Sequence, residues 1–280
     1  MKIVITGSRG FIGAATVRAA EEAGHRVVHF DHADGFDIRS EVDVISRIGH
    51  GVDRVIHLAG LLGTAELFAA AHDAVEVNVT GTLNIIDHCA SLDIGFTAIT
   101  MPPVFPSIYT ATKICADRLA TAYHHARGLR TSRVVAFNAY GVGQKHGPHH
   151  PQKIIPTFAT EAWAGRPIPI WGDGEQTVDL IHVDDIGQLL VDATRFDNDM
   201  VIEAGWGYPL TVNQVAEFVI DITGSRAGVQ HLPMRDGEVP TKIVATNPPQ
   251  HRFAYQDPRE AQFVKLVEAI KWYHPERRLP

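Results

Sequence analysis

Along the first 140 positions the apolar residues fall alternately into short β-branched runs and longer stretches with helical spacing. Lys2 to Thr6 reads as a strand and the Ala-rich stretch ending at Ala23 as a helix. Arg26 to Phe30 (strand), Glu41 to Ile48 (helix), Arg54 to Leu58 (strand), Ala74 to Ala90 (helix) and Gly95 to Thr100 (strand) continue the alternation, which closes with a helix Tyr109 to Ala126 and a strand Thr131 to Phe137. Strands separated by helix-length segments must be joined by crossovers, so neighbours run parallel, and the pattern predicts an α/β doubly wound sheet. After Tyr140 Gly and Pro become frequent through Gly174, and the chain ends in an amphipathic helix, Phe263 to Tyr273. Two lobes are expected: residues 1–165, to which 176–200 return, and a smaller C-terminal α/β lobe made mainly of 166–280.

Composition sets bounds on this picture. The 280 residues are 45% apolar and 20% charged, ordinary for a globular enzyme with a large core. The formal charge of −7, with no block of Lys or Arg, excludes a nucleic-acid-binding face, so any phosphate site must be local. No apolar run approaches the ~20 residues of a membrane span, and the first strand begins at Lys2 without a charged and apolar leader, so a cytoplasmic location is expected. Cys89 and Cys115 fall in helical segments without motif spacing and read as buried free thiols of a reducing compartment. The 16 histidines are scattered. Even the densest group, His146, His149 and His150, has no carboxylate or thiol beside it to complete a tetrahedral set, and no metal is expected.

Chemistry enters at the first turn, where Gly7-Ser8-Arg9-Gly10-Phe11-Ile12-Gly13 joins a strand to a helix. Glycines at 7, 10 and 13 permit a tight turn and let backbone approach a pyrophosphate seated on the helix N-terminus. The next strand ends in Asp31, where a dinucleotide-binding unit places an acid to accept hydrogen bonds from the adenosine ribose. Its charge repels a 2′-phosphate and favours NAD over NADP; Arg9 is the residue that would reverse the preference.

An ordered series of further motifs runs through nearly the whole chain: Asp37-Ile38, His57-Leu58-Ala59-Gly60, Asn78 with Gly81-Thr82, Tyr109-x-x-x-Lys113, Arg133, Asn138-Ala139-Tyr140-Gly141, Gly172-Asp173-Gly174 and Ile181-His182-Val183-Asp184-Asp185. With the glycine turn and Asp31, the series resembles the extended short-chain dehydrogenase/reductase family, in its nucleotide-sugar epimerase/dehydratase branch. The resemblance implies a Rossmann-type nucleotide domain, NAD as cofactor and a nucleotide-sugar substrate held by the smaller lobe. It makes Tyr109 the proton-transferring group and Lys113 its partner, and residues four apart on a helix do share one face. The implied cofactor contacts are Gly7, Arg9, Gly10, Phe11, Ile12, Gly13 and Asp31, then Asp37 and Ile38 at the adenine, His57, Leu58, Ala59 and Gly60 along the cleft, and Asn78, Tyr109 and Lys113. Asn78 also reads as an amide tying strands together, and Asp184 as a helix N-cap. Substrate contacts are expected from Asn138, Lys153, Trp171 and Arg235. Relatives commonly pair as homodimers through two helices of each subunit, here those near Asn78 to Ala90 and Tyr109 to Ala126.

The chain departs from the family pattern in three places. Met101 stands where a Ser or Thr usually orients the substrate, and Thr100 is the nearest hydroxyl; adjacent strand residues point to opposite faces, so Thr100 substitutes only with a backbone shift. The segment from Met101 to Tyr109 is short and its Met-Pro-Pro-Val-Phe lacks the acid that dehydratases and decarboxylases of the family carry there. Val178 replaces an arginine that meets the substrate diphosphate in many relatives, leaving Arg235 or Lys153 to compensate. The missing acid places epimerisation or simple ketoreduction ahead of dehydration and decarboxylation; an epimerase is expected, with a reductase or dehydrogenase as the second reading and a non-catalytic dinucleotide sensor, suggested by the missing hydroxyl and the altered strand end, as the third.

Overall fold

The computed structural model describes residues 1–147, 150–249 and 258–278. The chain runs β1 (Lys2–Thr6), α1 (Phe11–Glu22), β2 (Arg26–Phe30), α2 (Glu41–Arg47), β3 (Arg54–His57), α3 (Ala71–Val75), α4 (Thr82–Ser91), β4 (Gly95–Thr100), α5 (Ile108–Arg127) and β5 (Thr131–Ala136). It continues with β6 (Asn138–Tyr140), α6 (Ile154–Trp163), β7 (Ile168–Trp171), β8 (Thr177–His182), α7 (Val183–Ala193), β9 (Asn198–Ala204), β10 (Pro209–Thr211), α8 (Val212–Thr223), β11 (Val229–Leu232) and α9 (Pro258–Trp272).

Six strands form one parallel sheet in the order β2-β1-β3-β4-β5-β9. Its strands are apolar on both sides because both faces are covered. Ile3 and Ile5 point into a core shared with α1 and α7, while Val4 between them points into a second core with Val55, Phe96, Ile85 and Ala120 under α4 and α5. A third core gathers α6, α8 and α9 over the three-stranded sheet β10-β8-β6 and the pair β11-β7. The fold is thus Rossmann-like, a parallel sheet between helix layers with a smaller α/β assembly beside it.

Three local expectations are corrected. The helix expected from Ala74 to Ala90 is α3 and α4 joined by a π-helical turn, Glu76–Gly81, that carries Asn78. The N-cap of α7 is His182, whose Nδ1 accepts from Asp184 N at 3.3 Å; the Asp184 side chain pairs instead with Arg18 of α1 at 2.6 Å. Cys89 is buried as expected, but Cys115 is exposed, because on α5 Lys113 and Ala116 take the inward positions. Of the histidine group, His149 lies outside the described residues, and among the described residues no cluster of His, Cys, Asp or Glu is placed to hold a metal. No described helix is long and apolar enough to cross a membrane.

Candidate active site

The glycine turn between β1 and α1 is packed directly on the loop after β3. Gly7 adopts φ +66°, and a Cβ there would lie 2.8 Å from Ala59 N; a Cβ on Gly13 would collide with the Gly7 carbonyl. Helix α1 opens on Gly10 with no side-chain cap and no acid in its first turn, so its leading N–H groups keep the positive end of the helix available to an anion. At the end of β2, Asp31 accepts from Arg9 N at 2.8 Å and Ala33 N at 2.9 Å, which fixes its carboxylate against the turn. The Arg9 side chain pairs with Asp34 at 3.1 Å. The cation that would welcome a 2′-phosphate is thereby neutralised. Asp34 has no motif position, so its role is not readable from the sequence.

Around this turn, Leu58 N and Ala59 N donate to Thr6 Oγ1 at 3.0 and 3.1 Å, and the Phe11 ring faces Gly141. Ile12 packs into the core under α1. Asp37 is held by Arg39 at 2.6 Å, whose hydrogen bonds keep its carboxyl below the usual carboxylate range. Ile38, expected with Asp37 at the adenine, turns its side chain into the core against Gly81.

Helix α5 begins at Ser107, whose side chain accepts from Thr110 N at 3.2 Å, and ends at Gly128 in the left-handed conformation. Tyr109 and Lys113 therefore stand one turn apart near the start of a well-capped helix. Burial pushes the Tyr109 phenol up to about 12 and pulls the Lys113 ammonium down to about 8, with Asp117 opposing the latter. Thr100 is buried on the sheet face that meets α5, where it shares a small cavity with Lys113.

His57, which the sequence places along the cofactor cleft, is buried instead. Thr6 Oγ1 already accepts from two N–H groups, so its hydroxyl donates to His57 Nδ1 at 2.8 Å. Nε2 then carries the proton and donates to Thr82 Oγ1 at 2.9 Å, which donates to Asn78 O at 2.7 Å. Burial, then the charge of Lys113, lowers the His57 pKa to about 3, so the ring is neutral. The Asn78 amide accepts from Leu61 N at 2.7 Å and donates to Leu61 O and Thr112 Oγ1, both at 3.1 Å. Asn78 thus joins the loop after β3 to α5 rather than strand to strand.

Three of the four residues expected at the substrate, Lys153, Trp171 and Arg235, gather in one cluster. The Arg235 guanidinium lies 4.8 Å over the Trp171 ring and is ion-paired with Glu238, with Glu66 at 3.9 Å. Lys153 belongs to the same cluster: burial lowers its pKa, while Glu66 raises it. Glu66 and Glu238 complete this charged cluster, and neither is readable from the sequence because neither lies in a motif. Asn138 stands apart, its Oδ1 accepting from Asp179 N at 3.2 Å and its Nδ2 making no described hydrogen bond. Val178 is buried on β8.

A glycine turn on a parallel sheet, an acid at the end of β2 and a Tyr–Lys pair on one helix define a dinucleotide-dependent enzyme. The sequence model of the NAD dependent epimerase/dehydratase family matches residues 3–101 and 97–203, and the chain belongs to that family. It is an NAD-dependent enzyme of the extended short-chain dehydrogenase/reductase type. The two matched pieces meet at the end of β4, where the segment before Tyr109 is short. A dTDP-glucose 4,6-dehydratase of Streptomyces niveus is 27% identical over 323 residues, covering 99% of this chain and 94% of that one. A UDP-glucuronate 4-epimerase of Thermodesulfobacterium geofontis is 28% identical over 210 residues, covering 68% of this chain and 63% of its own length. The fold is similar to that of the UDP-glucose 4-epimerase of Thermus thermophilus in complex with NAD, with a TM-score of 0.81 at 19% identity over 98% of this chain and 99% of that one.

Proposed function

We propose that the chain is a nucleotide-sugar epimerase in which Tyr109 exchanges a proton with a sugar hydroxyl. The observation that carries this reading is the placement of Tyr109 and Lys113 one helical turn apart at the end of β4, next to a glycine turn built for a dinucleotide. NAD, when bound, supplies the hydride acceptor for the first half of the cycle and the donor for the second. Gly7, Gly10, Gly13 and Asp31 would hold it, and the open N-terminus of α1 and the neutralised Arg9 fit an unphosphorylated adenosine ribose.

Tyr109 is a neutral phenol at physiological pH, so it is set to return a proton to a sugar alkoxide; Lys113 beside it favours the phenolate in the opposite direction. Lys153 and Arg235 are the cations that would replace the arginine absent at Val178; both face Glu66 and Glu238, so a substrate diphosphate would have to displace those carboxylates, and Trp171 braces Arg235 from its face. The relatives include both epimerases and dehydratases. Met101-Pro102-Pro103-Val104-Phe105 carries no acid for the second step of a dehydration, which favours epimerisation. A homodimer through α4 and α5 is the quaternary structure consistent with this reading.

The test is a panel of UDP-, dTDP- and GDP-sugars incubated with purified protein, its bound NAD(H) measured by absorbance and mass spectrometry. Isomerisation without net NADH, abolished by Tyr109→Phe, is the expected result. Accumulation of NADH or an oxidised sugar would assign a dehydrogenase instead, and conversion that persists in Tyr109→Phe would remove Tyr109 from the chemistry.

A further inference from the structure

The short segment between β4 and Tyr109 forms one wall of a cavity of about 470 Å³ on the flank of α5, open to solvent and bounded also by β5, β9 and residues 242–244. That volume lies within the range of about 300–1,000 Å³ typical of small-molecule sites. Of the residues expected at the cofactor or the substrate, only Thr100 lines it, so it stands apart from the glycine turn and from the cluster of Lys153, Trp171 and Arg235.

The middle of the cavity is apolar, walled by Pro102, Pro103, Ile114, Val135, Phe137 and Val201. Val201 belongs to β9, the edge strand of the six-stranded sheet, and is 46% exposed. The inner end is polar. Thr100 Oγ1, Asp117 Oδ1 and Arg133 Nε are buried there without a hydrogen-bond partner, and Thr100 as a whole is 7% exposed. Such groups cost free energy until something bonds them. The mouth is cationic: Arg118 and Lys242 line the cavity, are exposed, and make no hydrogen bond or ion pair with any described residue. The other charges nearby are engaged. Arg133 pairs with Asp117 at 3.0 Å and with Asp199 at 2.7 Å, and Glu203 accepts from Thr246 N at 2.6 Å and Asn247 N at 2.8 Å.

We propose that this cavity is a second ligand site, for an aromatic carboxylate that bears a hydroxyl at the far end of its ring system. The carboxylate sits at the mouth between Arg118 and Lys242, since at the inner end it would face the carboxylate of Asp117. The rings fill the apolar middle against Phe137 and the two prolines. The hydroxyl is both donor and acceptor, so it donates to Asp117 Oδ1 and accepts from Thr100 Oγ1 or Arg133 Nε. A nucleotide sugar suits neither the apolar middle nor the acidic inner end. The site goes beyond the epimerase reading and holds for any reaction at Tyr109.

The experiment is a fluorescence titration of the full chain with 6-hydroxy-2-naphthoate. Saturable one-to-one binding that NAD and UDP-glucose do not displace is the expected result. 2-Naphthoate, which lacks the hydroxyl, and 2-naphthol, which lacks the carboxylate, are each expected to bind about tenfold more weakly. The double variant Arg118→Gln, Lys242→Gln should weaken both carboxylates about tenfold and leave 2-naphthol within a fewfold of the parent. Val201→Trp fills the cavity from an exposed edge position and should abolish binding of all three, with circular dichroism melts as the control for the fold; the charge variants decide the question independently of it. Binding retained in folded Val201→Trp, carboxylate affinity unchanged by the double variant, or no saturable binding overturns the site. Displacement by NAD or UDP-glucose overturns it too, by assigning the probe to the active site. Decanoate binding as tightly as 6-hydroxy-2-naphthoate, and lost in the same variants, would assign an alkyl acid and overturn the aromatic one. No turnover is measured, so failure here leaves the epimerase reading to its own test.

Discussion

Lys113 sets chemistry against stability within a single side chain. It is nearly fully buried, and burial lowers its pKa from the ordinary lysine value to about 8. A base whose folded pKa is depressed costs stability wherever it is protonated in the fold: the penalty is complete below about 8 and disappears as pH rises to the unfolded value near 10.5. Lys113→Met is therefore expected to raise stability at pH 7 by about 3 kcal/mol, with a gain that fades by pH 10.5, while abolishing turnover. Thermal melts across that range check it; a destabilised variant at pH 7 would show that Nζ has better partners than its burial implies. The Tyr109–Lys113 pair is legible in the sequence because its spacing is local. Its electrostatic setting is only half legible: Asp117 lies one further turn along α5, whereas His57 becomes a neighbour only through the packing of β3 against α5. The same holds for Arg9, whose partner Asp34 belongs to a short turn without a motif. Asp34→Ala frees the guanidinium and is expected to raise NADP affinity relative to NAD severalfold, measured by titration of both cofactors.

At the scale of elements, two glycines of one turn have separable duties. A Cβ on Gly13 strikes the Gly7 carbonyl and the Ser8 backbone, so α1 must leave its seat against β1. A Cβ on Gly10 meets only the Gly7 carbonyl, at 3.1 Å, and otherwise occupies the space where backbone approaches a phosphate. Gly13→Ala is expected to destabilise the fold by about 2 kcal/mol or more; Gly10→Ala is expected to cost tenfold or more in NAD affinity with a small change in melting temperature. Equal effects in both assays would show that the turn acts as one unit. Strands and helices were readable here because periodicity of 2 or 3.6 residues is printed in the side chains. The π turn was not, since one extra backbone residue per turn leaves the apolar spacing of α3 and α4 almost unaltered. Yet that turn carries Asn78, which fastens Leu61 to Thr112 and so connects the loop after β3 with the helix of Tyr109 and Lys113.

Across the whole molecule, the sheet that holds the nucleotide motifs and the smaller assembly that supplies Lys153, Trp171 and Arg235 must keep a fixed relation. The sequence announced both but not what joins them, because Asp179 is readable there only as the neighbour of Val178, and its three N–H partners come from distant segments. Asp179, on β8 and fully buried, accepts from Trp206 N at 2.7 Å, Gly207 N at 2.9 Å and Ala245 N at 2.8 Å, while its own N–H donates to Asn138. The carboxylate thus holds the chain leaving β9 of the main sheet and the segment following Lys242, while the backbone N–H of the same residue reaches Asn138 of β6. Burial raises its pKa and the three N–H bonds pull it back, so the ordering of these backbone groups is what the acid contributes. Asp179→Ala leaves three N–H groups unpaired in the interior and is expected to cost about 3 kcal/mol or more, seen as a lower urea midpoint. Asp179→Asn, which retains one acceptor, should lose about half as much. Because the glycine turn and Asp31 are remote from this point, NAD affinity should survive in the folded fraction of Asp179→Asn, whereas the KM for a nucleotide sugar should rise. A loss of NAD affinity matching the rise in KM would mean that β9 transmits the damage into the main sheet, and that the two assemblies behave as a single mechanical unit.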